Sequence, residues 1–318
     1  MNADFATEMA NINLEIGTFS VLQQLGVMPA NEQQRPLWQN LLAGGGAGVA
    51  EICAMYPTDV VKTQLQLHHG KASMISVAQS VRQQRGLRGF YRGIGAPIAA
   101  EGPKRAVKFT MNERYKTLFI NTFGKEHAMA AAFAAGASAG VTEALINCPF
   151  EVVKVRMQAA TSTYASSTEC VKGLIRSEGL PGLWRGLEAQ CFRNGSWNGL
   201  YFGIIGTVRS MLHGDESLAK KFASGVVGGI AATSVATPFD VVKSRVQNLV
   251  PAEATQAQLR ELRGTSLHVL ARIARTEGWG ALYKGYGARV LRLGPGGGIM
   301  LLGFDMINKW IDAARARN

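Results

Sequence analysis

Three acid–base pairs set the first chemical question. Asp59 and Lys62, Glu151 and Lys154, and Asp240 and Lys243 stand three residues apart, each acid two residues after a proline. Acid and base at that spacing share one face of a helix and can each reach a neighbouring helix. Five further cations, Lys104, Arg105, Lys108, Arg193 and Arg292, interrupt stretches that are otherwise apolar. Lys104 and Lys108 are one turn apart on one face. Arg193 and Arg292 each lie seven residues after a glycine, Gly186 and Gly285. A guanidinium offers a planar fork suited to carboxylates and an ammonium a mobile point charge, so this set points to binding anions. Covalent chemistry has little footing. None of the five His falls in HExxH spacing, and no G-x-S-x-G or Walker loop is present. Cys53, Cys148, Cys170 and Cys191 form no CxxC pair, so they read as packing residues and no metal site is expected. The chain is not expected to be an enzyme.

The elements that must position these residues come in three copies. Pro57-Thr58-Asp59-Val60-Val61-Lys62 recurs as Pro149-Phe150-Glu151-Val152-Val153-Lys154 and as Pro238-Phe239-Asp240-Val241-Val242-Lys243. Thirteen residues before each proline stands a glycine (Gly44, Gly136, Gly225), and four on another (Gly48, Gly140, Gly229). Four residues after each lysine is a glutamine: Gln66, Gln158, Gln247. An aromatic–basic–Gly triplet follows in each copy, at Tyr91-Arg92-Gly93, Trp184-Arg185-Gly186 and Tyr283-Lys284-Gly285. Glu178-Gly179 and Glu277-Gly278 precede the last two, and Arg85-Gly86 the first. Each copy holds two long apolar stretches, roughly 38–66 and 94–121, 130–158 and 187–211, 220–247 and 286–314. Few contain 18 uncharged residues in a row, but their charges recur at equivalent places, as intramembrane charges facing a bundle interior do. The glycines at four-residue spacing suit close helix approach in lipid.

Composition narrows the class. The 318 residues carry a formal charge of +12, with 18% charged residues and 37 Gly, and a mean hydropathy of +0.04. That is too apolar for a basic soluble enzyme and too polar for wholly apolar spans, as a membrane protein with a polar interior would be. A nucleic-acid binder would cluster its basic residues with stacking aromatics; here they are divided among three loops and apolar stretches. Residues 60–100 hold six Lys/Arg and no acid, 154–185 five and two, 243–284 seven and three. The positive-inside bias puts these three loops on one side and both termini on the other. Residues 1–34 carry four acids and no Lys or Arg, which argues against a cleaved presequence or secretory signal. The expected division is an acidic, flexible extension over 1–35 and repeats over 36–125, 126–215 and 216–318, with a polar loop insertion near 251–262.

The three P-x-[DE]-x-x-[KR] motifs, each followed by an aromatic–basic–Gly triplet, resemble the mitochondrial carrier family over about residues 38–314. The resemblance implies an all-α membrane protein: six transmembrane helices in three pseudo-symmetric repeats of two helices plus a short matrix helix, around a central cavity. It implies a mitochondrial inner-membrane address and alternating access by a functional monomer. It also implies a matrix gate of cyclic ion pairs, Asp59–Lys154, Glu151–Lys243 and Asp240–Lys62, with Gln66, Gln158 and Gln247 placed to brace them. A cytoplasmic gate would be partial. Glu113, Gly206 and Asp305 lie at equivalent positions, as do Lys116, Arg209 and Asn308, leaving Glu113–Arg209 and Asp305–Lys116 as possible links. A weaker cytoplasmic gate would favour the state open to the cytoplasm.

Within the family, Glu101-Gly102-Pro103-Lys104-Arg105-Ala106-Val107-Lys108-Phe109 and Leu291-Arg292-Leu293-Gly294-Pro295-Gly296-Gly297-Gly298 are similar to the branch that carries oxodicarboxylates. Ala50-Glu51-Ile52-Cys53 and the pair Arg193-Asn194 fit the same branch. The implied activity is exchange of 2-oxoadipate or 2-oxoglutarate for another dicarboxylate, with Lys104, Arg105, Lys108, Arg193, Asn194 and Arg292 as the binding set. Citrate and malate carriers of the family stay open as alternatives. Glu51, Glu101 and Glu143 are candidate counter-charges for the cations. No cofactor is implied; cardiolipin is, near Arg92, Gly93, Arg185, Gly186, Lys284 and Gly285. Interfacial anchoring by Tyr91, Trp184 and Tyr283 is the other reading of those motifs.

Overall fold

The computed structural model describes residues 37–68, 72–211, 218–249 and 264–315, with 255, 256 and 259. The extension over 1–35 and most of the insertion near 251–262 lie outside these, as do the side chains of Arg105, Lys108, Glu113 and Arg209.

Among the described residues six long helices alternate with short connections. They are α1 (Leu37–Leu67), α3 (Gly95–Phe123), α4 (Ala128–Gln158), α6 (Leu187–Met211), α7 (Leu218–Asn248) and α9 (Tyr286–Arg315). Pro57, Pro149 and Pro238 lie inside α1, α4 and α7, which continue past them. After each of these three comes a short helix: α2 (Met74–Arg85), α5 (Ser167–Glu178) and α8 (Ser266–Thr276). Each short helix starts on a hydroxyl cap, with Ser73, Ser166 and Thr265 accepting the N–H of Ser76, Glu169 and His268. Such caps satisfy a donor that the first helical turn cannot. A 3-10 turn follows each, at Leu87–Tyr91, Leu180–Trp184 and Trp279–Tyr283.

Each short helix packs its buried stripe on the long helix before it. Val77 and Val81 meet Val60, Val61 and Leu65; Cys170 and Leu174 meet Val152, Val153 and Met157; Val269 and Ile273 meet Val242. Burial pushes the Cys170 thiol up to about 11. Cys148 and Cys170 are thus packing residues, but Cys53 is exposed on α1 and Cys191 only partly covered, which corrects the expectation that all four pack.

The repeats close into a ring. Gly93, Gly186 and Gly285 all adopt left-handed φ of 73° to 83°, and each lies against the helix of the next repeat. A Cβ at Gly93 would meet Met157 at 2.6 Å, one at Gly186 would meet Gln247 at 3.1 Å, and one at Gly285 would meet Lys62 at 3.0 Å. At the other end Gln39 of α1 ties to α9, donating to Asn308 at 3.3 Å and Asp312 at 2.7 Å and accepting from Arg315 at 3.2 Å. The outward faces are apolar: Leu42, Phe133, Leu145, Val227, Leu302 and Trp310 are exposed. Met129–Gln158 and Val226–Asn248 are long and apolar enough to cross a membrane.

Candidate functional site

The three acid–base motifs converge where α1, α4 and α7 end. Lys154 Nζ donates to Asp59 Oδ2 at 2.9 Å and Lys243 Nζ to Glu151 Oε2 at 2.5 Å, and Lys62 pairs with Asp240. Every lysine therefore serves the acid of another repeat, in the cyclic order 59–154, 151–243, 240–62. The pairs are largely buried, with Asp240 only 2% exposed. At an effective dielectric of 20 a contact at 4 Å attracts by about 4 kcal/mol, but desolvation costs several kcal/mol per ion. The net hold is small for three bonds of this kind.

Of the three expected braces, Gln66 touches an ion pair, donating to Asp240 Oδ2 at 3.1 Å while accepting from Ser244 at 2.8 Å. Gln247 turns instead to Gln190, whose amide oxygen lies 3.0 Å away. The Gln158 amide is buried beside Tyr56 and meets no motif carboxylate among the described residues. The glutamines repeat in sequence, whereas among the described residues only α7 offers one of them a motif carboxylate.

Two of the cations, Arg292 and Arg193, join this ring by pairing with carboxylates of other helices. Arg292 bridges two acids of α1, with Nη1 to Asp59 Oδ1 at 2.5 Å and Nη2 to Glu51 Oε1 at 2.9 Å. Arg193 lies on Asn194 and 3.3 Å from Asp240 Oδ1. Lys104 pairs with Glu101 three residues before it, and Glu143 is buried. Two motif acids, Asp59 and Asp240, are therefore each held by both a motif lysine and an arginine of another helix. Arg289 also reaches Asp240, at 3.5 Å; the sequence reading passed over it, although it stands one turn before Arg292 on the same face.

A second ring, which the sequence reading did not find, ties the repeats just beyond the ion pairs. Two residues after each motif lysine stand Gln64, Arg156 and Arg245. Gln64 donates to the Gln158 carbonyl at 3.1 Å, Arg156 to the Gln247 carbonyl at 2.8 Å, and Arg245 to the Gln66 carbonyl at 3.2 Å. Each is one repeat capping the last turn of the next, where carbonyls lack partners. Glu178 holds Arg156 at 2.6 Å and Arg185 at 2.7 Å, and Glu277 holds Arg245 and Lys284 in the same way. In the first copy Arg85 replaces the acid and donates straight to Ala159 and Ser162 carbonyls at 3.2 Å, beside Arg92 on Ser162 at 3.0 Å. The signal was present in the sequence as a recurrent position two residues past the lysine.

The side chains of Arg92, Arg185 and Lys284 are accordingly engaged within the protein. Tyr91, Trp184 and Tyr283 are similarly half-exposed. At the opposite mouth Asp305 pairs with Lys309 of its own helix at 2.6 Å, not with Lys116. A pair along one helix forms without any approach of two helices. Asn308 is buried on Gln39.

Comparison with known proteins adds to this geometry. A family model described as mitochondrial carrier protein matches residues 33–123, 125–216 and 214–314. A probable mitochondrial 2-oxodicarboxylate carrier of Dictyostelium discoideum is 43% identical over 289 residues, covering 88% of this chain and 93% of the relative. The human mitochondrial 2-oxodicarboxylate carrier is 39% identical over 86% of this chain and 94% of its own. Mitochondrial citrate transporter D of Aspergillus niger is also 39% identical, over 87% and 96%.

Proposed function

The chain belongs to the mitochondrial carrier family, and from that membership we propose that it exchanges 2-oxodicarboxylates, 2-oxoadipate and 2-oxoglutarate, for other dicarboxylates across the mitochondrial inner membrane. The observation that carries this reading is the way Arg292 and Arg193 are held. Each sits on carboxylates contributed by other helices, so the interior already binds the functional group of such substrates. Relatives named as 2-oxodicarboxylate carriers, at 43% and 39% identity, support the same class.

In this reading the six long helices, of 25 to 31 residues, span the bilayer with some tilt, since a span needs about 20 residues. The three ion pairs close the matrix side, and both termini face the intermembrane space. A dianion entering from the open side recruits Lys104, Arg193 and Arg292 from the three repeats. It shifts the equilibrium toward opening only by its greater affinity for the opened arrangement. The protein works as a monomer. Cardiolipin phosphates bind at the helix starts beside Gly93, Gly186 and Gly285, where N–H groups and the helix dipole favour anions.

A second reading, a citrate or malate carrier of the same family, is favoured by the 39% identity to citrate transporter D. The test is uptake of labelled 2-oxoglutarate into cardiolipin-containing liposomes holding the purified chain. Uptake that needs internal 2-oxoglutarate or 2-oxoadipate, and that drops at least about a hundredfold in Arg193→Ala or Arg292→Ala, is expected. Exchange driven only by citrate or malate would replace the substrate assignment.

A further inference from the structure

We infer that Arg289 is a substrate-binding residue: together with Arg193 it forms a carboxylate clamp that Asp240 occupies in this conformation. The inference rests on the dicarboxylate reading of the same site and assigns where the second carboxylate binds. Asp240 faces three cations and an amide at once. Lys62 pairs with it and Gln66 donates to it, while Arg193 Nε stands 3.3 Å from Oδ1 and Arg289 Nη1 3.5 Å from Oδ2. Those last two nitrogens are buried and make no hydrogen bond among the described residues. A carboxylate has about four lone-pair sites, yet neither guanidinium N–H meets one in bonding geometry, and a buried N–H left unpaired is costly. The donors are positioned for an anion that Asp240 supplies only in part.

The position is particular to the third repeat. Four residues after the glycines of the aromatic–basic–Gly triplets stand Pro97, Gln190 and Arg289; Gln190 is buried and accepts from Gln247. Arg289 and Arg292, one turn apart on α9, address Asp240 and Asp59 respectively. A substrate with two carboxylates places one on Arg292 and the other between Arg193 and Arg289. Taking the second place displaces Asp240, which is left with Lys62 and Gln66. One gate acid thus loses two of its cations when substrate binds, and a monocarboxylate that uses Arg292 alone leaves Asp240 as it was.

The test uses the full chain in cardiolipin-containing liposomes, with 2-oxoglutarate and its one-carboxylate counterpart 2-oxobutanoate. In Arg289→Gln the KM for 2-oxoglutarate is expected to rise roughly tenfold or more, the loss of one charge-assisted hydrogen bond. Inhibition by 2-oxobutanoate is expected to stay unchanged, and Arg289→Lys to fall between. A structural ion pair alone predicts a lower melting temperature with KM and the ratio between the two acids unaltered, and that result overturns the clamp. Should Arg289→Gln not fold, Arg289→Lys decides: a KM equal to wild type overturns the clamp, and a raised KM with an unchanged melting temperature supports it. The shift in melting temperature caused by 2-oxoglutarate in detergent separates the two readings. A wild-type shift that Arg289→Lys weakens supports the clamp even where no exchange is measured, which would sink the transport reading alone. No wild-type shift overturns the clamp.

Discussion

Glu277 shows how one carboxylate can fasten two segments. It receives both terminal nitrogens of Arg245, one at 2.9 Å, and Lys284 at 3.1 Å, so the end of α7 and the start of α9 meet on it. The hydrogen bonds from Arg245, opposed by burial and reinforced by Lys284, lower its pKa from an ordinary 4.5 to about 2. A depressed carboxylate contributes stability that is complete above its unfolded pKa and is lost as pH falls through the folded one. The fastening should therefore hold above pH 4.5 and weaken from there toward pH 2. Glu277→Gln should melt lower than wild type at pH 7, and the gap should narrow as the pH is lowered toward 3. A gap that stays constant over that range would remove the charged contact from the account. At this scale, what is written three times was legible: the acid–base motifs and their cyclic partners stand out because each residue has two counterparts. Arg289 and Gln39 were not, since neither has a like residue in the other repeats and each meets its partner on another helix. The second ring fell between, visible as Gln64, Arg156 and Arg245 but without a role until the carbonyls beside them were located.

Helices were easier to read than their contacts. Apolar stretches expected at 130–158 and 187–211 became α4 and α6 within two residues at each end, because a long helix is set by local pattern. The closeness of the two is set by glycine. A Cβ at Gly140 would stand 2.5 Å from the Asn194 carbonyl oxygen and 2.8 Å from the Asn198 amide, which itself donates to that carbonyl. Backbone cannot yield as a flexible side chain does. Gly140→Ala should therefore destabilise the protein by about 1–3 kcal/mol through overpacking, read as a lowered melting temperature. Gly45, with nothing within 4 Å of a Cβ, provides the control. Gly45→Ala should be neutral or stabilising, by up to about 1 kcal/mol, from helix propensity. Equal effects at the two positions would mean that the spacing of α4 and α6 does not depend on the missing side chain. The composition also signalled where the helices would pack, since small residues four apart occur in every copy, but not which glycine touches backbone.

Across the whole molecule the threefold ring is not electrically threefold. Asp59 answers to Lys154 and Arg292, and Asp240 to Lys62, Arg193 and Arg289. Among the described residues Glu151 has Lys243 alone within 4.0 Å, and the first copy carries Ala100 where the others place Arg193 and Arg292. The ring should therefore tolerate rearrangement at one joint and not at another. Reversing one partner of a buried pair strands two like charges, a loss on the order of 3–5 kcal/mol, so Glu151→Lys or Asp240→Lys alone should lower exchange more than a hundredfold. Restoring the pair with its charges exchanged separates the joints. Glu151→Lys with Lys243→Glu rebuilds an ion pair in the same place and should recover exchange to within about tenfold of wild type. Asp240→Lys with Lys62→Asp cannot, because the new ammonium faces Arg193 and Arg289, both still positive. Initial rates of 2-oxoglutarate exchange in liposomes, for the four variants beside wild type, measure this directly. Equal recovery by both double variants would mean that the arginines take no part in the ion-pair ring, and no recovery by either would mean that each lysine and acid acts through more than its pair. Recovery at the Glu151–Lys243 joint alone places the arginine contacts and the ion-pair ring on the same acid, Asp240, so the repeats share a ring whose joints are not equivalent.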